Sequence, residues 1–234
     1  MSIKIYEVGG CVRDRLLGIA SKDIDYAVEA PSFDAMRDYI LAQQGKIYLE
    51  KPEYQTIRAR LNTVDADFVL CRKDGYYSDG RRPDTVMPGS IYDDLARRDF
   101  TINAIAIDLE TGKYLDPFKG VAAIENKLID CVGNPFDRFS EDSLRVIRAI
   151  RFHITLGFDL SYQLRVAMTA PHIIEKLENI SVDRIRDELC RCFRFDTIKT
   201  MQKLIRSYPD IAQAIFKEEN KLWLDPTTKD KINE

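Results

Sequence analysis

Histidine is almost missing from this chain: 234 residues include only His153 and His172. That scarcity argues against a structural zinc site. The only closely spaced cysteines, Cys190 and Cys192, sit one residue apart inside a helical pattern, a spacing that does not suit zinc. The five cysteines are odd in number and lack framework spacing, which excludes a disulfide scaffold and places the thiols in a reducing compartment. Long hydrophobic runs are missing too, since no stretch approaches the roughly 18 apolar residues of a membrane span. The first residues, Met1-Ser2-Ile3-Lys4, lack the apolar core of a signal peptide, so a cytoplasmic protein with no membrane partner is expected. There is no excess of one charge: 35 basic and 38 acidic residues leave a formal net charge of −3. Any nucleic-acid contact must therefore come from a local basic face. Internal repeats and low-complexity segments are also lacking. With 45% hydrophobic residues, the length supports one domain with an extension, or two small domains.

The first part of the chain alternates between two periodicities. Strand patterns fall near 3–8, 23–29, 45–49, 54–61, 65–71 and 104–109, with helical patterns at 11–17 and 32–43. This predicts an α+β fold on a mixed sheet. Ser32 is the expected N-cap of the second helix and Gly45 follows its end. Residues 72–90 carry turn chemistry throughout and are expected to form a mobile loop. From Asn134-Pro135 onward the pattern becomes helical, which places the domain boundary at 139, with a first domain of 1–139 and a second of 140–234.

Two short motifs near the start carry chemistry. Gly9-Gly10 ends the first strand where backbone N–H groups can approach an anion, and Arg13 on the following short helix adds positive potential. In the strand that follows, Asp23 and Asp25 project from one side. Two such carboxylates repel one another unless a hard cation with oxygen ligands, such as Mg²⁺, lies between them and a substrate phosphate. The chemistry this implies is two-metal phosphoryl transfer without a covalent nucleophile. Each motif alone has a plain reading, a turn or a solvated surface pair; the order and spacing of the two together carry the argument.

A second constellation follows Ser140, read as an N-cap for a helix through Glu141, Asp142, Arg145, Arg148 and Arg151. In the plain reading these charges offset the helix dipole and pair along the helix. In the functional reading Asp142 and Arg145 share one face as an acceptor beside a donor. Such a pair matches the amino group and ring nitrogen of cytosine or adenine and mismatches uracil and guanine. Arg148 and Arg151 would then reach a triphosphate.

Together these residues resemble the class II tRNA nucleotidyltransferase (CCA-adding) and bacterial poly(A) polymerase family, within the polymerase-β-type nucleotidyltransferase superfamily. The resemblance spans roughly residues 3 to 195. It also includes the run from Asp74 to Pro83, Arg97-Arg98-Asp99-Phe100-Thr101-Ile102-Asn103-Ala104, Leu115-Asp116-Pro117 and Glu141 to Arg148. It implies a nucleotidyltransferase head with a mixed sheet, followed by an all-helical neck that carries the nucleotide template. The metal ligands implied are Asp23 and Asp25. The nucleotide-binding set implied is Gly9, Gly10, Arg13, Arg98, Asp142, Arg145, Arg148 and Arg151, with Asp99 on the ribose. Asp67 is the implied third acid, able to help deprotonate the attacking hydroxyl, although Asp65 is close by and the family often has glutamate there. The 72–88 segment is similar to the family's flexible loop, linked to switching from C to A addition.

The resemblance implies addition of C and A to the 3′ end of tRNA from CTP and ATP with Mg²⁺. A poly(A) polymerase or A-adding enzyme would share every residue named. A catalytically silent RNA- or nucleotide-binding module is the competing class, and the retained acids and template pair argue against it. Family members normally continue into further helical domains, so the expectation here is either a body and tail reduced to residues around 196–234 or a different grip on RNA. Arg184, Arg186, Arg191, Arg194, Lys199, Lys203 and Arg206 are candidates for an RNA-contacting face, or simply solvated helix charges. Leu204, Ile205, Ile211, Ile215 and Trp223 would cap the neck core or mediate dimerisation, which leaves the oligomeric state open.

Overall fold

A computed structural model describes residues 3–21, 23–75 and 85–216. The chain divides into two compact units, Met1–Asn126 and Lys127–Glu234. The division falls ahead of the boundary placed at 139, because the change to helical periodicity begins after the second unit has already started.

The first unit is built on a seven-stranded sheet in the order β3-β4-β5-β2-β1-β8-β9. Its strands are β1 (Lys4–Val8), β2 (Ile24–Glu29), β3 (Lys46–Lys51), β4 (Thr56–Leu61), β5 (Val64–Leu70), β8 (Ala106–Asp108) and β9 (Tyr114–Leu115). Only β2 and β5 pair in parallel; every other pairing in this sheet is antiparallel, so the sheet is mixed as expected. The helices are α1 (Gly10–Leu16), α2 (Phe33–Ala42), α3 (Ile91–Ala96) and α4 (Gly120–Glu125). Where a mobile loop is expected, the described ends form a ribbon of β6 (Arg72–Asp74) with β7 (Val86–Pro88). The middle of that loop and Trp223 lie outside the described residues.

Alternation along the strands decides which face is core. Ile57 and Ala59 of β4, Phe68 and Leu70 of β5 and Val28 of β2 pack under Met36 and Ile40 of α2, with Ile47 of β3 at the margin. Ser32 caps α2 by accepting the Ala35 N–H, as its sequence position predicts. The opposite face carries the intervening residues, among them Asp25, Asp67 and Arg58, and it is there that the chemistry collects.

Among its described residues the second unit is helical apart from a two-residue parallel pairing of β10 (Leu128–Ile129) with β11 (Asp159–Leu160). Its helices are α5 (Pro135–Glu141), α6 (Leu144–Leu156), α7 (Tyr162–Met168), α8 (Pro171–Leu177), α9 (Val182–Ser207) and α10 (Pro209–Ile215). Leu204, Ile211 and Ile215 are buried core residues, while Ile205 is exposed. Inside α9, Asp196 leaves the helical region at φ −163 and ψ 100, so the element is two helices joined at a kink.

Asp116 explains why Leu115-Asp116-Pro117 matters structurally: its carboxylate accepts the Gly120 and Val121 N–H groups at 2.6 and 2.9 Å, starting α4. That seats Gly120 so tightly that a Cβ would lie 2.2 Å from the Thr101 carbonyl oxygen. Gly120→Ala is expected to cost about 3 kcal/mol or more. Gly112→Ala, at φ 68 with open space around it, should cost about 1 kcal/mol. Urea unfolding midpoints of the two variants check the contrast.

Candidate functional site

The site in the first unit starts at the end of β1. Gly9 adopts φ 82 and ψ −135, a conformation that favours glycine strongly. A Cβ at Gly9 would stand 2.9 Å from Arg98 Nη1 and 3.9 Å from Asp25 Oδ2. The missing side chain thus lets the backbone lie directly against a guanidinium and a carboxylate. Gly10 opens α1, where an added Cβ would meet Arg13 Nη2 at 3.5 Å, an ordinary contact.

The parallel register of β2 with β5 sets Asp25 directly opposite Asp67. Asp23 lies just before β2 rather than inside it, and is exposed. Its negative charge still reaches Asp25. The Asp25 carboxyl is open to solvent at one side, yet the surrounding protein displaces enough water to raise its pKa above the usual range. Arg98 opposes that rise, and the charges of Asp67 and Asp23 add to it. Arg58 Nη1 stands 3.9 Å from Asp67 Oδ2, at the limit of an ion pair. Among the described residues no three His, Cys, Asp or Glu side chains converge to hold a metal unaided. The donors are carboxylate oxygens, which suit a hard divalent cation that completes its shell with phosphate and water.

Arg98 is held from behind. Its Nη2 donates to Asp94 Oδ2 at 2.9 Å, and Arg97 binds the other oxygen of the same carboxylate. Asp94 is 1% exposed. Burial raises its pKa, but Arg98 and Arg97 outweigh burial and leave the carboxyl below the usual carboxylate range. Asn103 joins the other parts: its side-chain oxygen accepts from Arg13 Nη1 at 2.7 Å, its amide donates to Asp99 Oδ1 at 3.1 Å, and its carbonyl faces Arg98 at 3.4 Å. Arg13 also binds Asp14 at 2.7 Å. Arg13 and Asp99 are therefore buried braces of this turn. Asp99, expected on a ribose, accepts the Phe100 N–H and points inward.

The second unit corrects the reading of Asp142 and Arg145. They do not share the face of one helix. The helix before them, α5, is capped by Asn134 rather than starting at Ser140, and it ends at Glu141. Asp142 is extended at φ −152 and ψ 101, and α6 starts only at Leu144. A carboxylate that accepts the N–H of Leu144, as Asp142 does at 3.2 Å, competes with helix continuation at that point. Asp142 Oδ2 is held by Arg184 at 2.7 Å, and Arg145 Nη1 by Glu141 Oε2 at 2.8 Å and the Arg138 carbonyl at 3.1 Å. Arg148 and Arg151 both bind Glu188, a buried residue of α9, and Arg151 lies 4.0 Å from the centroid of the Phe152 ring. Arg184, expected on an RNA-contacting face, instead anchors Asp142.

Asp94 and Asn103 in the first unit, and Arg184 and Glu188 in the second, were not recognised from sequence as supports of the candidate residues in their own units. Asp94 lies three and four residues before Arg97 and Arg98, an ion-pair spacing that could have revealed it. Arg184 and Glu188 are one helical turn apart, but their targets are some 40 residues away, as in the Arg148–Glu188 separation of 40, and no local pattern shows that.

The family model described as poly A polymerase head domain matches residues 5–130. A CCA-adding enzyme of Geobacillus sp. strain WCH70 is 41% identical over 184 residues, which is 78% of this chain and 44% of that protein. The CCA-adding enzyme of Oceanobacillus iheyensis is 37% identical over 213 residues, 90% of this chain and 51% of that one. Among solved structures, the Bacillus stearothermophilus CCA-adding enzyme in complex with CTP matches with a TM-score of 0.74 at 32% identity, over 87% of this chain and 48% of that one. A tRNA nucleotidyltransferase complexed with a primer tRNA and an incoming ATP analog matches at TM-score 0.76 and 30% identity, over 92% and 60%. The chain spans about half the length of the curated relatives it matches.

The depressed Asp94 carboxyl links stability to pH. Its contribution is fully present above the ordinary value near 4 and is lost as pH falls through the lower folded value. Asp94→Ala is expected to cost roughly 3 kcal/mol at neutral pH, because two arginines lose their shared partner. The gap between variant and wild type should shrink on acidification, measured as denaturant midpoints from pH 7 down to about 3.

Proposed function

The chain belongs to the poly A polymerase head domain family, and on that premise we propose that it is a template-independent RNA nucleotidyltransferase, adding C and A nucleotides to the 3′ end of tRNA from CTP and ATP in the cytoplasm. The observation that carries this reading is the placement of Asp25 opposite Asp67, with Asp23 nearby and the Gly9 turn and Arg98 alongside. A carboxylate cluster beside a glycine turn and a guanidinium suits a triphosphate and a hydroxyl brought together.

In the proposed reaction the 3′-hydroxyl oxygen of the RNA forms a bond to the α-phosphorus. The bond from that phosphorus to the bridging oxygen breaks, and pyrophosphate leaves with the electron pair. Asp67 takes the hydroxyl proton, and its loose pairing with Arg58 leaves it able to do so. Asp23 and Asp25 would hold Mg²⁺, which would neutralise charge on the triphosphate and lower the pKa of the attacking hydroxyl. The Gly9-Gly10 turn lets the phosphates approach the backbone, and Arg98, anchored by Asp94, presents fixed positive charge.

Base choice falls to Asp142 and Arg145 in this reading. Asp142 Oδ1 accepts the Leu144 N–H and retains acceptor capacity toward an amino group, while Arg184 fixes the other oxygen. Arg145 donates to the adjoining ring nitrogen. Arg148 and Arg151 are set by Glu188 within the same unit.

The test is extension of a tRNA lacking its last three nucleotides, with Mg²⁺ and CTP, ATP or both, and sequencing of the products. Ordered addition of C, C and A is expected. Asp25→Ala should fall to about a thousandth of the wild-type rate or below, the scale of several kcal/mol of lost charge stabilisation. Its melting temperature should not drop, because removing this carboxylate relieves repulsion with Asp67 and Asp23. A folded protein that binds nucleotide but extends no RNA would overturn the reading in favour of a binding module.

A further inference from the structure

The sheet face that bears Asp25 continues beyond the carboxylates onto β4 and β3, where Arg60, Lys46 and Tyr48 take no part in the proposed reaction. Register places Arg58 of β4 next to Asp67, and Leu49 of β3 next to Arg58. One row along, Arg60 lies opposite Asp65 and beside Lys46. A bulge between Ile47 and Leu49 projects Tyr48 into this patch, with Lys46 Nζ 5.5 Å and the Arg60 guanidinium 5.9 Å from its ring centroid. Neighbouring strands lie about 4.8 Å apart, so the row from Asp25 through Asp67 and Arg58 to Leu49 is roughly 14 Å long.

This part of the face is open. Tyr48 is 45% and Leu49 46% exposed, and the side chains of Arg58 and Arg60 are 54% and 52% exposed. Toward β2 the same face is covered: the Ile91 N–H at the start of α3 donates to Glu29, which shares a face with Asp25, and Cys11 of α1 packs against the Asp25 backbone. A polyanion whose end sits at Asp25 and Asp67 therefore finds space on the β4 and β3 side. Basic side chains interleaved with an exposed aromatic ring are the chemistry of a single-stranded nucleic-acid track. Arg60 is already neutralised by two bonds to Asp65, at 2.8 and 2.6 Å, whereas Arg58 reaches Asp67 at only 3.9 Å. Of the two arginines, Arg58 is thus the better able to take a new anionic partner.

We infer that the open strip of Arg58, Tyr48 and Lys46 is the track for the RNA acceptor strand, Arg58 binding a backbone phosphate near the 3′ end and Tyr48 stacking on a base. This rests on the reading that an RNA 3′ hydroxyl is the nucleophile. It adds which surface holds the strand and which residue sets its approach to Asp67. Pairing Arg58 with phosphate also removes its hold on Asp67, so RNA binding releases the proton acceptor when the hydroxyl arrives.

Two readouts test this. The first is fluorescence anisotropy of a labelled single-stranded RNA ending in CC, without metal or nucleotide, over a series of salt concentrations. Arg58→Ala should weaken binding roughly tenfold and reduce the slope of log K against log salt by about 0.7, the loss of one phosphate contact. Adding Tyr48→Ala should weaken binding further at unchanged slope, and Arg58→Lys should restore most of the slope. The second is extension kinetics, where Arg58→Ala should raise KM for RNA while leaving KM for CTP unchanged. Wild-type affinity and slope in Arg58→Ala would overturn the inference, as would a rise confined to KM for CTP, which would assign Arg58 to the triphosphate. A wild-type protein that binds RNA through Arg58 but transfers nothing would overturn the catalytic reading and leave the strip standing. One that extends RNA while every variant keeps wild-type RNA affinity would overturn the strip alone.

Discussion

The parallel pairing of β2 with β5 holds two carboxylates opposite one another, and much of the first unit compensates for that placement. Asp25 and Asp67 repel, which helps to raise the Asp25 carboxyl above its usual range. The fold tolerates the pair because it brings cations from both sides. Arg98 lies on one side, against the glycine-favouring turn at position 9, and Arg58 on the other, one strand further out. Neither cation cancels the charge outright. In the proposed reaction, the repulsion that remains is what a hard divalent cation and the phosphates it accompanies would relieve.

Holding Arg98 in place needs its own support. Asp94 is buried almost completely and divides its two oxygens between Arg97 and Arg98, so one carboxylate fixes two guanidinium groups. Asn103 then ties Arg98 to Arg13 and Asp99, and the segment from Asp94 to Asn103 becomes a scaffold behind the open side of the site. The second unit uses the same device. Glu188 is buried and shared between Arg148 and Arg151, while Arg184, a turn earlier on α9, holds Asp142. In both units a buried acid or a long-range arginine orients the candidate site groups, which keeps their geometry from depending on local helix preference.

Much of the architecture was legible from periodicity. The strands at 3–8, 23–29, 54–61 and 65–71 and the first two helices fall where alternation and the 3.6-residue pattern place them, because those patterns are set by which side chains must be buried. The helix at 140–152 was misread for a specific reason. Ser140 has the chemistry of an N-cap, and the run after it has helical apolar spacing. The competing signal is Asp142, whose carboxylate takes the Leu144 N–H and breaks the backbone between α5 and α6. Two helices separated by only two residues, of which Asp142 alone is extended, read almost like one helix. Similarly, turn chemistry at 72–90 hid the short β6–β7 ribbon at the ends of that segment.

By itself the amino-acid sequence determined the alternation of strands and helices, the glycine turn after β1 and the presence of paired acids near it, since these depend on neighbours within a few residues. The tertiary structure alone decided that Asp67 stands opposite Asp25, that Arg98 is fixed by Asp94, that Arg184 and Glu188 hold the arginines and the acid of α6 and its approach, and that Arg58 and Tyr48 share an open face with the carboxylates. Each of those depends on strand register or on a contact between distant parts of the chain. Register and long-range pairing follow from how whole elements pack, and a one-residue slip would reverse which side chains meet.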